Sequence, residues 1–323
     1  MIVSQTPLRV SLFGGGTDLA DYYRLHGGAV LSIAINKYIH VMVRPRWDGD
    51  IVVNHWMQER VRRVEDIQHG IVRECLSTAG ISGGFEVACT SDAPAGGSGL
   101  GTSSALTVGL LRALFTYQGR SCDRAELAEL ACHIEINLLG EPIGKQDQYA
   151  AAFGGCREYR FNPDGDVAVQ DVAISPECER ELYRHVAVFY TGRTRQASEI
   201  LRDQKAKIPA RMEQLHELKT NVVTGRKLLE LGDLKQLGIL LHESWQQKKK
   251  LSEKIHDREL DSVYDRARGA GAYGGKLLGA GGGGFFLFIC PPERRPALRA
   301  ALSGLRELPL RIDRLGSSIL LRS

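Results

Sequence analysis

Three features of the chain have the residue types and spacing to do chemistry. The first is PAGGSGLGTSSAL at 94–106, which within nine positions packs four glycines and, at its end, three consecutive hydroxyl residues. It lies between a strand-like segment and the start of an apolar helical one. Glycine backbone can approach a ligand closely, here through Pro94, Gly96, Gly97, Ser98, Gly99, Leu100 and Gly101. A helix start adds unpaired N–H groups and the positive end of a dipole, which together favour an anion. The hydroxyls of Thr102, Ser103 and Ser104 fall where a phosphate or its metal ion would lie. Phosphate binding is therefore predicted, against the plainer reading of a glycine-rich turn with Ser/Thr capping. No G-x-x-x-x-G-K-[ST] occurs, so the loop is not a Walker A.

The second feature is a set of charges out of place. Glu135 has Ala131, Cys132, Leu138 and Leu139 as its helical neighbours and interrupts an apolar stripe. A buried carboxylate is costly unless it is paired or binds a metal, so it needs either an arginine or a cation. Asp147 follows a Gly/Pro loop and reads equally as a helix cap or a base. Arg9 sits in a largely apolar strand and needs an anion.

The third feature is a pair of further glycine runs. In LRVSLFGGGTD a strand ends in Gly14, Gly15 and Gly16 and a helix is expected to start with Thr17 or Asp18 as its cap. GAGGGG at 279–284 matches the dinucleotide pattern G-x-G-x-x-G, which must open a helix. Here it leads into FFLFIC, the most strand-like segment of the chain, so a nicotinamide dehydrogenase is disfavoured. Glycine makes up 36 of 323 residues, and twelve of the 36 fall in these three runs.

The elements that must position these groups are mixed. Strands are predicted at 2–13, 28–45, 85–89, 185–191, 276–278 and 285–290, with a hairpin over 156–172 around Asn162-Pro163-Asp164-Gly165. Helices are predicted at 66–79, 103–117, 124–139, 195–207, 210–231, 233–251 and 257–270, with a last helix and two short strands after them. The basic run Lys248–Lys250 reads as a solvated helix face. An α+β protein of two domains, 1–165 and 166–323, is expected. A net charge of +4 argues against nucleic acid, and no apolar stretch reaches membrane-spanning length. Seven unpaired-looking cysteines and the lack of a signal peptide predict a soluble cytoplasmic protein. A homodimer is among the assemblies open to it.

Together the three runs resemble the three motifs of the GHMP kinase superfamily. RVSLFGGGTD matches R-x-N-x-[IL]-G-E-H-T-D at Arg9, Gly14, Thr17 and Asp18, with Ser11, Gly15 and Gly16 in place of Asn, Glu and His. PAGGSGLGTSS matches P-x-x-x-G-L-G-[ST]-S, and KLLGAGGGG matches K-x-x-G-A-G-x-G-G. The wording is most similar to D-glycero-D-manno-heptose 7-phosphate kinases, and relatives with nearly the same motifs phosphorylate fucose or other sugars at the anomeric hydroxyl. The missing Glu-His pair speaks against galactokinase. The resemblance implies an active site in the cleft between two domains, with ATP held by residues 94–104. It implies Mg2+ at Ser103 and Glu135, Asp147 as catalytic base and Arg9 beside it. Substrate contacts would come from Gly15, Gly16, Thr17, Asp18, Asp147, Gly282, Gly283 and Arg195. A sugar phosphate's own phosphate would look to Arg193, Arg195, Lys145 or Lys276. A non-catalytic sugar and ATP sensor on the same fold is the remaining rival, and the intact acids and loop hydroxyls count against it.

Overall fold

The computed structural model describes all residues except 56, 95–96 and 195–196. Two sheets carry the architecture. The larger has eight strands; its long path runs Ser318–Arg322, Ile2–Phe13, Gly28–Pro45, Phe85–Ser91, Ile51–Asn54 and Gln58–Val61. The hairpin Cys156–Phe161 and Val167–Asp171 pairs onto the near end of Gly28–Pro45. The smaller sheet is ordered Arg306–Glu307, Val186–Tyr190, Phe285–Ile289 and Gly274–Leu277. Its strands are all antiparallel.

The first strand shows why the fold delivers a site. Its register against Gly28–Pro45 shifts between Pro7 and Leu8. Proline has no N–H to give to a ladder, which makes this a natural place for an irregularity. Beyond it the period-two alternation turns Leu8, Val10 and Leu12 to one face and Arg9 and Ser11 to the other. The first face is fully buried in apolar neighbours; the second meets the cleft.

Helix Thr102–Tyr117 packs across the first two long strands and is buried almost all round. Gly109 brings it so close that a β-carbon there would stand 2.7 Å from Thr6 Oγ1. The smaller sheet buries Phe286 and Phe288 against Trp245 and Tyr264, with ring centroids 5.4–6.2 Å apart.

Several expectations need correction. The helix after the first glycine run starts at Ala20 behind Leu19, not at a Thr17 or Asp18 cap. The helix predicted at 66–79 is a 3-10 turn at Val64–Asp66 followed by an α-helix at Gly70–Thr78. The helix predicted to 139 is α-helical to Cys132 and then π-helical over His133–Leu138. The helix Pro176–His185 and strands Ile51–Asn54 and Gln58–Val61 were not foreseen. Val167–Asp171 and Ser318–Arg322 both belong to the larger sheet, so the sheets divide the chain between 171 and 186 and the C-terminus crosses back. The cysteines are all free, and six of the seven are buried. Among the described residues no helix is long and apolar enough to cross a membrane.

Candidate active site

A cavity of about 130 Å³ lies between the two sheets' domains. From the N-terminal side it is walled by Arg9, Asp18, Gln146 and Asp147, and from the C-terminal side by Gln204, Lys248, Gly279 and Ala280. The glycine-rich loop, Gly97 to Ser104, closes one end.

Arg9 and Asp147 form the centre. Arg9 Nε donates to Asp147 Oδ1 at 2.7 Å and Nη2 donates to Oδ2 at 2.6 Å. The third arm, Nη1, donates to the Gly99 carbonyl at 2.6 Å. Planar fork-to-fork pairing fixes both carboxylate oxygens in direction as well as distance. Asp147 is in the first turn of helix Gln146–Phe153, whose cap is Lys145, so it is not itself the helix cap. A β-carbon on Gly101 would lie 3.3 Å from Asp147 Oδ2. The carboxylate and the loop therefore face each other at contact range.

The loop runs through left-handed Gly97, Gly99 and Gly101, and helix Thr102–Tyr117 starts directly from Gly101 with no side chain capping it. Its first N–H groups are left to the cavity end. Gly99 also lies against the third glycine run: a β-carbon there would be 2.4 Å from the Leu278 carbonyl oxygen. One on Gly279 would be 2.4 Å from Gly99 Cα. Two glycine runs are thus packed backbone to backbone, which no larger residue allows.

Glu135 is buried beside this loop. Gln148 Nε2 donates to its Oε2 at 2.7 Å, and the hydroxyls of Ser104 and Ser103 also bond to it. No ion pair to Glu135 exists among the described residues, so the arginine alternative falls. Burial, opposed by these hydrogen bonds and reinforced by the nearby Asp147 charge, pushes its carboxyl up to about 7. Oxygen donors around an unpaired carboxylate suit a hard cation. Among the described residues no cluster of three or more His, Cys, Asp or Glu could hold a metal by itself.

Asp18 accepts from Gly16 N at 3.0 Å and from Gln146 Nε2 at 3.1 Å. Burial, with Asp147 nearby, raises its carboxyl. Gly15 and Gly16 line the cavity with it. Two buried polar atoms of the wall, Ser11 Oγ and Gln146 Oε1, have no hydrogen-bond partner among the described residues.

Other expected site residues are placed elsewhere. Thr17 is buried, its hydroxyl donating to the Gly14 and Ala29 carbonyls at 2.7 and 2.8 Å, so it holds the turn together. Gly282 and Gly283 do not line the cavity; Gly282 N donates to the Ile255 carbonyl and Gly283 lies against Arg193. Gly279 and Ala280 take that wall instead. Pro94 is exposed and Leu100 is in the core, its carbonyl accepting from Arg9 N at 3.0 Å. Gly96 and Arg195 lie outside the described residues. Arg193 pairs with Asp257 and Glu259, Lys145 with Glu129, and Lys276 is buried with its Nζ on the Leu12 carbonyl at 3.0 Å.

The sequence reading of Lys248–Lys250 as a solvated face is wrong for Lys248. That side chain is buried, lines the cavity and donates to the Gly279 carbonyl. Burial lowers its ammonium to about 8, and Arg9 adds to the effect while Asp18 and Asp147 oppose it. Gln146 and Ser11 were also missed.

A site of this kind, with a glycine loop at a helix start and a carboxylate gripped by arginine, defines a phosphate-handling enzyme class. The chain belongs to the GHMP kinases: the N-terminal domain model of that family matches residues 66–155 and the C-terminal one residues 226–305. It is 34% identical to D-glycero-alpha-D-manno-heptose 7-phosphate kinase of Campylobacter jejuni, over 93% of each chain. The L-fucokinase/L-fucose-1-P guanylyltransferase of Bacteroides fragilis is 26% identical over 93% of this chain but 35% of that longer protein. Among solved structures, a D-glycero-D-manno-heptose 1-phosphate kinase from Bacteroides thetaiotaomicron superposes over the whole of both chains with TM-score 0.83 and 27% identity. A putative sugar kinase from Campylobacter jejuni superposes with TM-score 0.78 and 30% identity, covering 98% of this chain and 97% of that one.

Proposed function

We propose that this protein is an ATP-dependent sugar kinase acting at the anomeric hydroxyl of a heptose phosphate, with D-glycero-D-manno-heptose 7-phosphate as the acceptor. The relatives' names support a heptose phosphate and differ in where its phosphate sits. The missing Glu-His pair of the first motif favours a heptose over galactose. The observation that carries the reading is the Arg9–Asp147 fork opposite the glycine loop, because it puts a fixed carboxylate at contact range from where phosphates would be held.

In this reading the backbone of 97–102 and the start of helix Thr102–Tyr117 hold the β- and γ-phosphates of ATP. The nucleotide base lies in an adjoining cavity of about 510 Å³, which meets the loop at Gly97, Thr102 and Ser103 and is lined by Ile39, Cys89 and Leu106. Ser103 and Glu135 would hold Mg2+, which when bound would supply positive charge against the charge developing on the transferring phosphate. Asp18, Gln146 and Ser11 hydrogen-bond sugar hydroxyls, which gives the orphaned Ser11 Oγ and Gln146 Oε1 their partners. Asp147 accepts the proton of the anomeric hydroxyl as that oxygen attacks the γ-phosphorus in line, and ADP leaves. Arg9 keeps the carboxylate aimed through the transfer. Beyond Asp18 and Ile143 an open groove of about 910 Å³ leaves room for an acceptor longer than a hexose.

The test is an ATP-consumption screen over heptose 7-phosphate, heptose 1-phosphate, fucose, galactose and mannose, with phosphorus NMR of the product. Turnover on heptose 7-phosphate with a new anomeric phosphate is expected. Preference for fucose would move the protein to the fucokinase-like branch, and no ATP consumption with any sugar would leave a sugar and nucleotide sensor.

A further inference from the structure

Resting on the ATP-kinase reading above, we propose that Lys248 is the C-terminal domain's ligand to the transferred γ-phosphoryl group.

The argument starts from burial. Lys248 is at the last turn of helix Leu234–Lys250, and its partner in the structure is a main-chain carbonyl, that of Gly279. An ammonium taken from water needs an anion, or it costs stability. The charged groups facing it are Arg9 on the first strand, Asp18 in the turn after it, Asp147 on helix Gln146–Phe153 and Lys276 on strand Gly274–Leu277. Both arms of Asp147 are already taken by Arg9, and Asp18 is occupied by Gly16 N and Gln146. Lys248 thus faces a second buried cation, Arg9, and two carboxylates that are already engaged. Among the described residues the Lys248 ammonium has a neutral carbonyl and no anion of its own as its partner.

The position says which anion would supply it. Gly279, which Lys248 holds, packs directly on Gly99, and Gly99 is the loop residue whose carbonyl receives Arg9. Lys248, Gly279, Gly99, Arg9 and Asp147 form a continuous chain of contacts around one point of the cavity. That point lies between the loop that would hold the phosphates and the carboxylate that would take the proton. A γ-phosphoryl group there meets an ammonium across from Arg9. A diphosphate, ending one group earlier, leaves Lys248 with the Gly279 carbonyl alone.

The predicted signature is discrimination between ATP and ADP, read by calorimetry with the full protein, Mg2+ and either ADP or a non-hydrolysable ATP analogue. Lys248→Met is expected to weaken the analogue by about 10- to 100-fold, the loss of one hydrogen bond to a charged group. ADP affinity stays within about twofold, which also shows that the variant is folded. Lys248→Arg keeps the charge and recovers part of the analogue's affinity. Equal effects on ADP and the analogue, or none on either, overturn the assignment. So does a loss confined to KM for a phosphorylated sugar but not for its unphosphorylated form, which would give Lys248 to the acceptor's phosphate. If wild-type protein binds neither nucleotide, the kinase reading fails first and this assignment goes with it.

Discussion

Arg9 holds both carboxylate oxygens of Asp147 and, with its third arm, the carbonyl of Gly99. One guanidinium thus ties that carboxylate to the loop that faces it. Asp147→Asn keeps the shape but cannot accept a proton, and phosphoryl transfer should fall by about 10²–10⁴-fold, the usual worth of a positioned general base. ADP affinity should stay within about twofold. Arg9→Lys loses the fork and should lower turnover with little change in ADP binding. Wild-type turnover by Asp147→Asn would reduce the pair to a structural ion bridge.

Glu135 gives the site a pH dependence with a definite sign. Its carboxyl is raised by burial to about 7, so between the ordinary value near 4.5 and 7 the folded protein holds a proton that the unfolded chain has lost. Metal-free stability should therefore decline as pH rises through that window. Cation binding requires the ionised form, so the Mg2+ requirement should be greatest near pH 6 and relax toward pH 8. Glu135→Gln should flatten both dependences and raise the Mg2+ concentration needed at pH 8. A magnesium titration unchanged in the variant would remove Glu135 from the metal site.

The parts of this site that could be read from sequence are those written in local pattern. The long strands and the helix that follows the glycine-rich loop depend on neighbours in the chain, and the structure places them as expected. Glu135 could be singled out because a carboxylate on an apolar stripe is a local contradiction. Lys248 carried the same kind of signal. Leu237, Leu241 and Ser244 lead to it at helical spacing on the buried face of their helix, yet the run of three lysines masked that periodicity. Thr17 was misread because its partners, Gly14 and Ala29, are brought together by strand pairing. The contact of Gly99 with Gly279 joins residues 180 positions apart and has no local trace.

Burying Lys248 should cost stability in the absence of ligand. Its ammonium is lowered to about 8, so below that pH both folded and unfolded chains carry the charge and the full burial cost is present. The cost fades as pH rises from 8 toward the ordinary lysine value of 10.5, where neither state is charged. Ligand-free Lys248→Met should accordingly melt above wild type at pH 7, with the difference narrowing by pH 10. Thermal melts at the two pH values check this. A variant that melts lower at pH 7 would show that the Gly279 carbonyl already compensates the charge.

The packing of Gly99 against Gly279 can be separated from the backbone conformation that both require. Gly99→Ala meets two obstacles: a positive φ of 78° and a main-chain oxygen at 2.4 Å. A left-handed alanine costs about 1–2 kcal/mol, and overpacking adds about 1–3 kcal/mol when backbone has to move. Gly119→Ala meets only the first, since its φ is 70° and nothing lies within 4 Å of the added carbon. Gly119→Ala should therefore lose about 1 kcal/mol with nucleotide affinity intact. Gly99→Ala should lose about 3 kcal/mol and weaken nucleotide binding, because the displaced segment is the loop itself. Gly279→Ala intrudes on the same contact from the other side, so the double variant should lose less than the sum of the two singles. Denaturant melts of the four variants measure the coupling, and strict additivity would mean that the two glycine runs do not share a contact in solution.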